Sequence, residues 1–166
     1  MIFNPAQETS RTRVTDAYRT AMTIAMALTG SIVLYIFTGL IILRSKSAVS
    51  REDLLVPFYG AAAAFAIASL AYRRIQMQAA RLETISTKRG VAGLLAHLVT
   101  TTIVSGALVE VVGLLGLLLS LMTGDLTHLI RLGVVALAVS VYNFPRLKAW
   151  QQAVEYFEQA AAVFTK

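Results

Sequence analysis

A single carboxylate in the middle of a long apolar stretch is the feature that most constrains this chain. Residues 90–124 read GVAGLLAHLVTTTIVSGALVEVVGLLGLLLSLMTG, and only His97 and Glu110 among them titrate near neutral pH. A helix crosses the hydrocarbon core of a bilayer with about 20 residues at 1.5 Å rise each. Glu110 precedes Met122 by twelve residues, which places it roughly 18 Å from that end of the helix. The stretch therefore predicts a membrane-spanning helix with an ionisable group near the midplane.

The composition agrees with a membrane location. Hydrophobic residues make up 57% of the 166 and charged residues only 14%, whereas soluble domains carry roughly 25% charged residues. We predict an all-α integral membrane protein, a four-helix bundle at 1–146 followed by a cytoplasmic amphipathic helix at 147–166. The predicted spans are residues 21–43, 54–72, 97–122 and 126–144. Residues 73–89 are expected to form a polar, basic connection.

The distribution of basic residues predicts the topology. Four spans place the N-terminus, the 73–90 segment and the C-terminus on one side, and these parts hold eleven of the fifteen lysines and arginines. By the positive-inside rule this side is cytoplasmic, so we predict a cell inner membrane protein with both termini in the cytoplasm. The net charge of +6 follows this topology, and we expect no nucleic-acid partner.

Glu110 is the candidate functional residue, because an ionisable group at that depth is costly and usually serves a function. At 100° per residue, Thr102, Gly106, Glu110 and Gly113 share one face of the helix. Glycine on either side of the carboxylate lets another helix approach closely and exclude water. We predict that Glu110 binds a proton or a cation. The alternative is a structural carboxyl group, hydrogen-bonded to a hydroxyl such as that of Thr102.

Arg131 is the candidate partner of Glu110 in an intramembrane ion pair. It lies about 8 Å inside the fourth span, counted from the nearer end. The two residues differ in depth by about 10 Å, which long side chains close only partly. The default expectation is that Arg131 extends its guanidinium to the membrane surface.

The second and third spans carry a resemblance to a known family. Residues 106–122, GALVEVVGLLGLLLSLM, resemble the second helix of the ATP synthase c-subunit, the proteolipid whose mid-membrane carboxylate carries a proton. The order of parts is also similar across 57–122: a small-residue helix, a polar loop, then the carboxylate helix. The resemblance implies a c-subunit-like hairpin, with one further span on each side that the family's hairpin lacks.

Small residues on the second span predict how this hairpin packs. Gly60, Ala64 and Ala68 recur every four residues, the pattern that lets membrane helices approach closely. We expect this face to pack against the face of Gly106 and Gly113, giving a close antiparallel pair. The amphipathic helix at 147–166 is expected to contact protein rather than lipid, because its polar face is not basic.

The remaining polar residues give little sign of catalysis or of a cofactor. A lone transmembrane histidine such as His97 either ligates a tetrapyrrole or makes a hydrogen bond near the interface, and the second is commoner. His128 is expected to be an exposed neighbour of Asp125, which can cap the fourth span. No metal-ligand pattern, phosphate-binding loop or serine nucleophile motif occurs, so we expect no metal, no cofactor and no enzymatic activity.

Three functional classes remain open from the sequence. The first is an oligomer-forming, c-subunit-like protein in which Glu110 binds a proton or cation. The second is a non-catalytic accessory subunit of a larger respiratory or photosynthetic membrane complex. The third, a small carrier or channel, is disfavoured because one charged group makes a poor pathway. In the first two classes the partners are the lipid bilayer and either further copies of the chain or other subunits.

Overall fold

A computed structural model describes the backbone of residues 5–44 and 52–164, and the side chains within 11–44 and 52–157. The helices are α1 (Pro5–Leu43), α2 (Glu52–Gln76), α3 (Ala79–Thr123), α4 (Leu126–Asn143) and α5 (Leu147–Phe164). All regular structure in this part of the chain is α-helical, which confirms the predicted fold class at that level.

Four stretches of these helices are long and apolar enough to cross a membrane. They are Arg11–Leu43, Glu52–Gln76, Ala79–Thr123 and Leu126–Phe157, and each contains a predicted span or nearly all of it. Large apolar side chains on the outer surface are exposed, among them Ile41 at 75% and Val56 at 80%. An apolar surface of this kind suits lipid rather than water, so the fold fits an integral membrane protein.

Helix α3 is the centre of the bundle. It packs against α1, α2, α4 and α5, and α4 also packs against α1 and α2. In the described part of the chain α1 and α2 do not contact each other, so one side of α3 stays uncovered between them. Consecutive spans alternate in direction, and α1 therefore runs parallel to α3.

The long helices extend beyond the membrane thickness. Helices α1 and α3 have 39 and 45 residues, about 58 and 68 Å at 1.5 Å per residue, against a hydrocarbon core of about 30 Å. The predicted polar, basic connection 73–89 is largely helical, because the end of α2 and the first part of α3 take up most of it. Leu82 of α3 is buried in an apolar cluster with Val14 of α1 and Phe157 of α5, and this burial stabilises the helix.

A break at Gly90 divides the extension of α3 from its membrane-spanning part. Gly90 has φ 63° and ψ −169°, a conformation that is open essentially to glycine alone. The chain is helical on both sides of this residue and kinked at it. The short turn at Met77 and Gln78 is thus the whole connection between α2 and α3.

Helix α5 covers the extended ends of α1 and α3. Its Trp150, Val154 and Phe157 are buried in the same cluster as Leu82, and the ring of Trp150 meets Tyr18 of α1 edge to face at 5.9 Å. The expectation that α5 contacts protein is confirmed for these residues. The partner is the chain's own bundle.

Helix α2 packs on α3 through a different face from the one predicted. Its buried residues are Ala62, Ala66 and Ser69, and the Ser69 hydroxyl donates a 2.9 Å hydrogen bond to the Ser105 carbonyl of α3. The stripe of Gly60, Ala64 and Ala68 is exposed. The close antiparallel pairing exists, but its predicted face was wrong because the segment 60–64 carries small residues on every side. Ser69, which needs an acceptor, distinguishes the true face.

Candidate functional site

Glu110 lies against α1, where two hydroxyl groups meet its side chain. Ser31 Oγ is 2.6 Å and Tyr35 Oη is 2.8 Å from the same carboxyl oxygen, Oε1. Ser31 and Tyr35 are one helical turn apart and so share a face of α1. All three side chains are partly buried. The carboxyl group is therefore bound by polar atoms of a neighbouring helix, within the apolar part of the bundle.

The glycines on either side of Glu110 let α1 approach closely enough for these two hydrogen bonds. A Cβ atom at Gly106 would lie 2.7 Å from Leu28 Cδ1, and one at Gly113 would lie 3.2 Å from Ile32 Cγ2. Larger side chains there would push α1 away and lengthen both hydrogen bonds. The structure thus agrees with the expectation of close helix packing around Glu110. The helix that approaches is α1, whereas the sequence pattern suggested α2.

Two predicted partners of Glu110 lie elsewhere. The Thr102 hydroxyl donates a 2.9 Å hydrogen bond to the Leu98 carbonyl of its own helix, so it does not support the carboxyl group. Arg131 is exposed on α4. The ion pairs within the described residues are Arg11 with Glu155 and His128 with Asp125, and the proposed pair of Arg131 with Glu110 is not among them.

Ser31 is in contact with two acceptors at once. Its Oγ lies 2.7 Å from the Leu28 carbonyl oxygen as well as 2.6 Å from Glu110 Oε1. A hydroxyl group has one hydrogen to donate and two lone pairs with which to accept. It can donate to the carboxylate, or it can donate to the Leu28 carbonyl and accept a hydrogen from a protonated Glu110. Both arrangements use the same heavy-atom positions.

Both histidines make hydrogen bonds to helix α2. His97 Nε2 is 3.2 Å from the Gln76 carbonyl oxygen at the end of α2, which agrees with the commoner of the two expectations for it. His128 Nδ1 is 3.0 Å from the Tyr59 hydroxyl, and its Nε2 is 3.6 Å from Asp125 Oδ2. The side chain of His128 is only 13% exposed, so the expectation of an exposed residue was wrong. It links the start of α4 to α2.

Asp125 caps α4 as expected. Its side chain accepts a 2.8 Å hydrogen bond from the Thr127 amide, which satisfies one of the free N–H groups of the first turn. Hydrogen bonds from Thr127 lower the pKa of the Asp125 carboxyl group, because they favour its ionised form.

Among the described residues no group of three or more His, Cys, Asp or Glu side chains is placed to hold a metal ion. No family model matches the chain, and no similar curated protein or solved structure was found. The interpretation of the site therefore depends on its geometry.

Sequence reasoning missed Ser31 and Tyr35, although a signal for them was present. Ser31 precedes the end of its span at Leu43 by twelve residues, as Glu110 precedes Met122. Spans one and three run in the same direction, so equal distances from their ends mean equal depths. A polar pair one turn apart at the depth of a buried carboxyl group is a candidate for its partner.

Proposed function

We propose that the protein is an oligomer-forming, c-subunit-like membrane subunit in which Glu110 binds and releases a proton. The observation that carries this proposal is the double contact of Ser31, whose hydroxyl lies within hydrogen-bond distance of both Glu110 and the Leu28 carbonyl. A site that serves a proton carrier has to hold the carboxyl group in its neutral and its ionised form. The contacts of Glu110 supply a partner for each form.

In the neutral form, the Glu110 carboxyl hydrogen is donated to Ser31 Oγ, and Ser31 donates its own hydrogen to the Leu28 carbonyl. In the ionised form, Ser31 rotates its hydrogen toward the carboxylate, and Tyr35 Oη donates a second hydrogen bond to the same oxygen. The 2.6 Å separation of Ser31 Oγ and Glu110 Oε1 suits a charge-assisted O–H to O⁻ bond. One hydroxyl rotation therefore accompanies the gain or loss of the proton.

A proton is a better fit than a metal cation on the distances. Both hydroxyl oxygens lie at ordinary hydrogen-bond distances from the carboxyl oxygen. A cation would instead need several oxygen ligands arranged around one central position. We therefore assign the proton as the ligand, and sodium protection is the measurement that would reverse this assignment.

The uncovered side of α3 supports assembly into an oligomer. Ile103, Leu114, Leu118 and Met122 are exposed and share one face of α3, because they are separated by whole turns of the helix. Glu110 lies at the border between this face and the α1 contact. A second copy of the chain on this face would cover the open side of the site, as a neighbouring subunit does in a ring.

The runner-up is a non-catalytic accessory subunit of a larger membrane complex. In that case the hydrogen bonds of Glu110 with Ser31 and Tyr35 would serve only to hold α3 against α1. The 2.6 Å contact of Thr29 with Ser140 holds α1 against α4 in a comparable way. The two proposals differ in whether Glu110 exchanges its proton with the medium.

The test is labelling with dicyclohexylcarbodiimide, a lipid-soluble reagent that reacts with protonated carboxyl groups. We expect it to modify Glu110 in preference to the exposed Glu52, Glu83 and Glu155. Mass spectrometry of peptides from the labelled membrane protein locates the adduct. Excess sodium should leave the labelling unchanged.

The matched control is Glu110→Gln, which keeps the size and the hydrogen-bonding capacity of the neutral side chain. It should abolish the label and leave the oligomer intact in mild detergent. Two results would contradict proton binding: wild-type Glu110 that resists the reagent at every pH, or a Glu110→Gln variant whose oligomer dissociates. In either case Glu110 has only a structural role, and the protein is better interpreted as an accessory subunit.

A further inference from the structure

A basic cavity lies where the last turns of α2 and α4 meet. Its volume is about 490 Å³, and it is lined by Arg73, Arg74, Met77, Tyr142 and Arg146. This size is within the range of small-ligand sites. Three of the five lining residues carry a guanidinium group, and none carries a carboxylate. The cavity is on the end of the bundle opposite to Asp125.

No acidic partner pairs with the arginines of this cavity among the described residues, and only Arg73 is held by a backbone group. Arg73 is half-buried, and its Nη2 donates a 3.2 Å hydrogen bond to the Phe144 carbonyl. Arg73 and Arg146 line the same cavity, so their positive charges repel each other. Neither of the ion pairs among the described residues includes an arginine of this cavity. An anion bound between these like charges would stabilise the cluster.

The chemistry of guanidinium groups selects the anion. Their planar donors match the oxygens of a phosphate group and bind two of them at once. Arg74 and Arg146 are exposed, so their donors are free to turn toward a ligand that enters from the membrane surface. A phosphate or phosphodiester is the group that this set of residues recognises best.

The surfaces next to the cavity favour a lipid as the source of the phosphate. On α2, one exposed face runs from Arg74 toward the middle of the bundle and carries Leu70, Ile67 and Ala63. On α4, an exposed face likewise runs from Tyr142 toward the middle of the bundle and carries Ala138 and Val135.

The exposed apolar faces on the two helices therefore lead from the cavity into the membrane region, where acyl chains would lie. Basic cavities between membrane helices bind the headgroups of anionic lipids in this manner. We propose that the cavity binds the phosphate group of an anionic phospholipid.

The experiment compares lipid retention by two charge-matched variants. Arg74→Gln with Arg146→Gln removes two exposed arginines of the cavity and leaves the Arg73 hydrogen bond to Phe144 in place. Arg81→Gln with Arg89→Gln removes two exposed arginines of α3 outside the cavity. Each protein is purified in mild detergent and titrated with phosphatidylglycerol, phosphatidylcholine or inorganic phosphate. Native mass spectrometry counts the bound lipid, and thermal unfolding reports the stabilisation that binding confers.

We expect phosphatidylglycerol to bind the wild-type protein in preference to phosphatidylcholine. The affinity should fall on the order of tenfold for each cavity arginine removed, as for the loss of a charged hydrogen bond, and the α3 variant should stay near the wild-type value. Equal losses in both variants would mean a diffuse charge effect and would overturn the proposal. Inorganic phosphate that binds as tightly as phosphatidylglycerol would also overturn it, in favour of a soluble phosphate ligand.

A folding control accompanies the titration, because the cavity lies at a helix junction. Circular dichroism and the elution volume of each variant establish that the helices and the assembly are retained. If the double variant does not fold, Arg146→Gln alone serves, since this exposed residue lies between α4 and α5, and we expect it to show the tenfold loss by itself.

Discussion

The contact of Glu110 with two hydroxyl groups is the most informative feature at the scale of single residues. An isolated carboxyl group at the middle of a membrane helix would have to stay neutral or find a counter-charge. Ser31 and Tyr35 offer a third solution, because hydroxyl groups can donate to the ionised form and Ser31 can accept from the neutral form. These two hydroxyl groups could therefore serve either form of a carboxyl group, as the proposed proton binding requires.

Tyr35→Phe isolates the contribution of one of these hydrogen bonds. The change removes a donor from Glu110 and keeps the ring, so it should lower the free energy of unfolding by roughly 0.5–1.5 kcal/mol. Denaturant titration in detergent micelles measures this, and a double-mutant cycle with Glu110→Met, which keeps the length of the side chain and removes the acceptor oxygens, assigns the loss to the pair. Tyr156→Phe, at an exposed ring of α5, is the control and should change stability little. A cycle with no coupling energy would contradict the geometry of the site.

At the scale of helices, the polar residues decide which faces meet. Asn143 of α4 donates a 2.8 Å hydrogen bond to the Ser69 hydroxyl of α2, which itself donates to the Ser105 carbonyl of α3. The three helices are thus joined by one buried chain of hydrogen bonds. On an adjacent face of α3, Gly106 and Gly113 give α1 its close approach. Hydroxyl, amide and glycine positions, rather than apolar ones, distinguish the contact faces of these helices.

The start of α4 gives a prediction for the pH dependence of stability. Hydrogen bonds from Thr127 hold the pKa of the Asp125 carboxyl below its usual value of 3.8. Since the folded pKa is the lower one, the stabilisation is complete above the unfolded value and is lost as the pH falls below 3.8 and through the folded pKa. Asp125→Ala should cost about 1 kcal/mol at neutral pH and remove this acid-dependent component.

Asp125→Asn is the matched control for that measurement. Asparagine caps helices about as well as aspartate but does not titrate, so it should keep most of the stability at neutral pH and lose the pH dependence. Unfolding followed by circular dichroism between neutral and strongly acidic pH makes the comparison. An Asn variant as sensitive to acid as the wild type would show that another group is responsible.

At the scale of the whole molecule, the bundle is an asymmetric assembly around one helix. Helix α3 contacts the other four, whereas α1 and α2 lie apart on either side of its uncovered face. The extended ends of α1 and α3 are covered by α5 through Trp150, Val154 and Phe157. This leaves an apolar face beside Glu110 available for a second copy of the chain or for another subunit.

The charge asymmetry predicts which end of this assembly faces the cytoplasm. The chain has no cysteine, so a single cysteine can be placed at Thr87 on the extension of α3 or at Thr127 at the start of α4, both exposed positions. A membrane-impermeant maleimide applied to intact cells should label Thr127→Cys and leave Thr87→Cys unlabelled. Efficient labelling of Thr87→Cys would reverse the predicted topology.

The sequence by itself determined the helical class and the four apolar spans, and it predicted the depth of Glu110. These properties follow from length and hydropathy, which add up residue by residue along one helix and need no knowledge of its neighbours. The cap at Asp125 is local in the same sense. The glycines beside Glu110 could also be identified, because their effect depends on their own helix face.

Only the tertiary structure decided which helix approaches Glu110 and which face of α2 is buried. The segment from Gly60 to Ala64 presents small side chains on all sides, so its periodicity could not distinguish the exposed face from the face of Ala62 and Ala66. The physical reason is that lipid is as apolar as the bundle interior, so burial leaves little hydrophobic pattern within a span. The pairing of Ser31 and Tyr35 with Glu110 joins residues 75 and 79 positions apart, and it arises from the packing of α1 on α3.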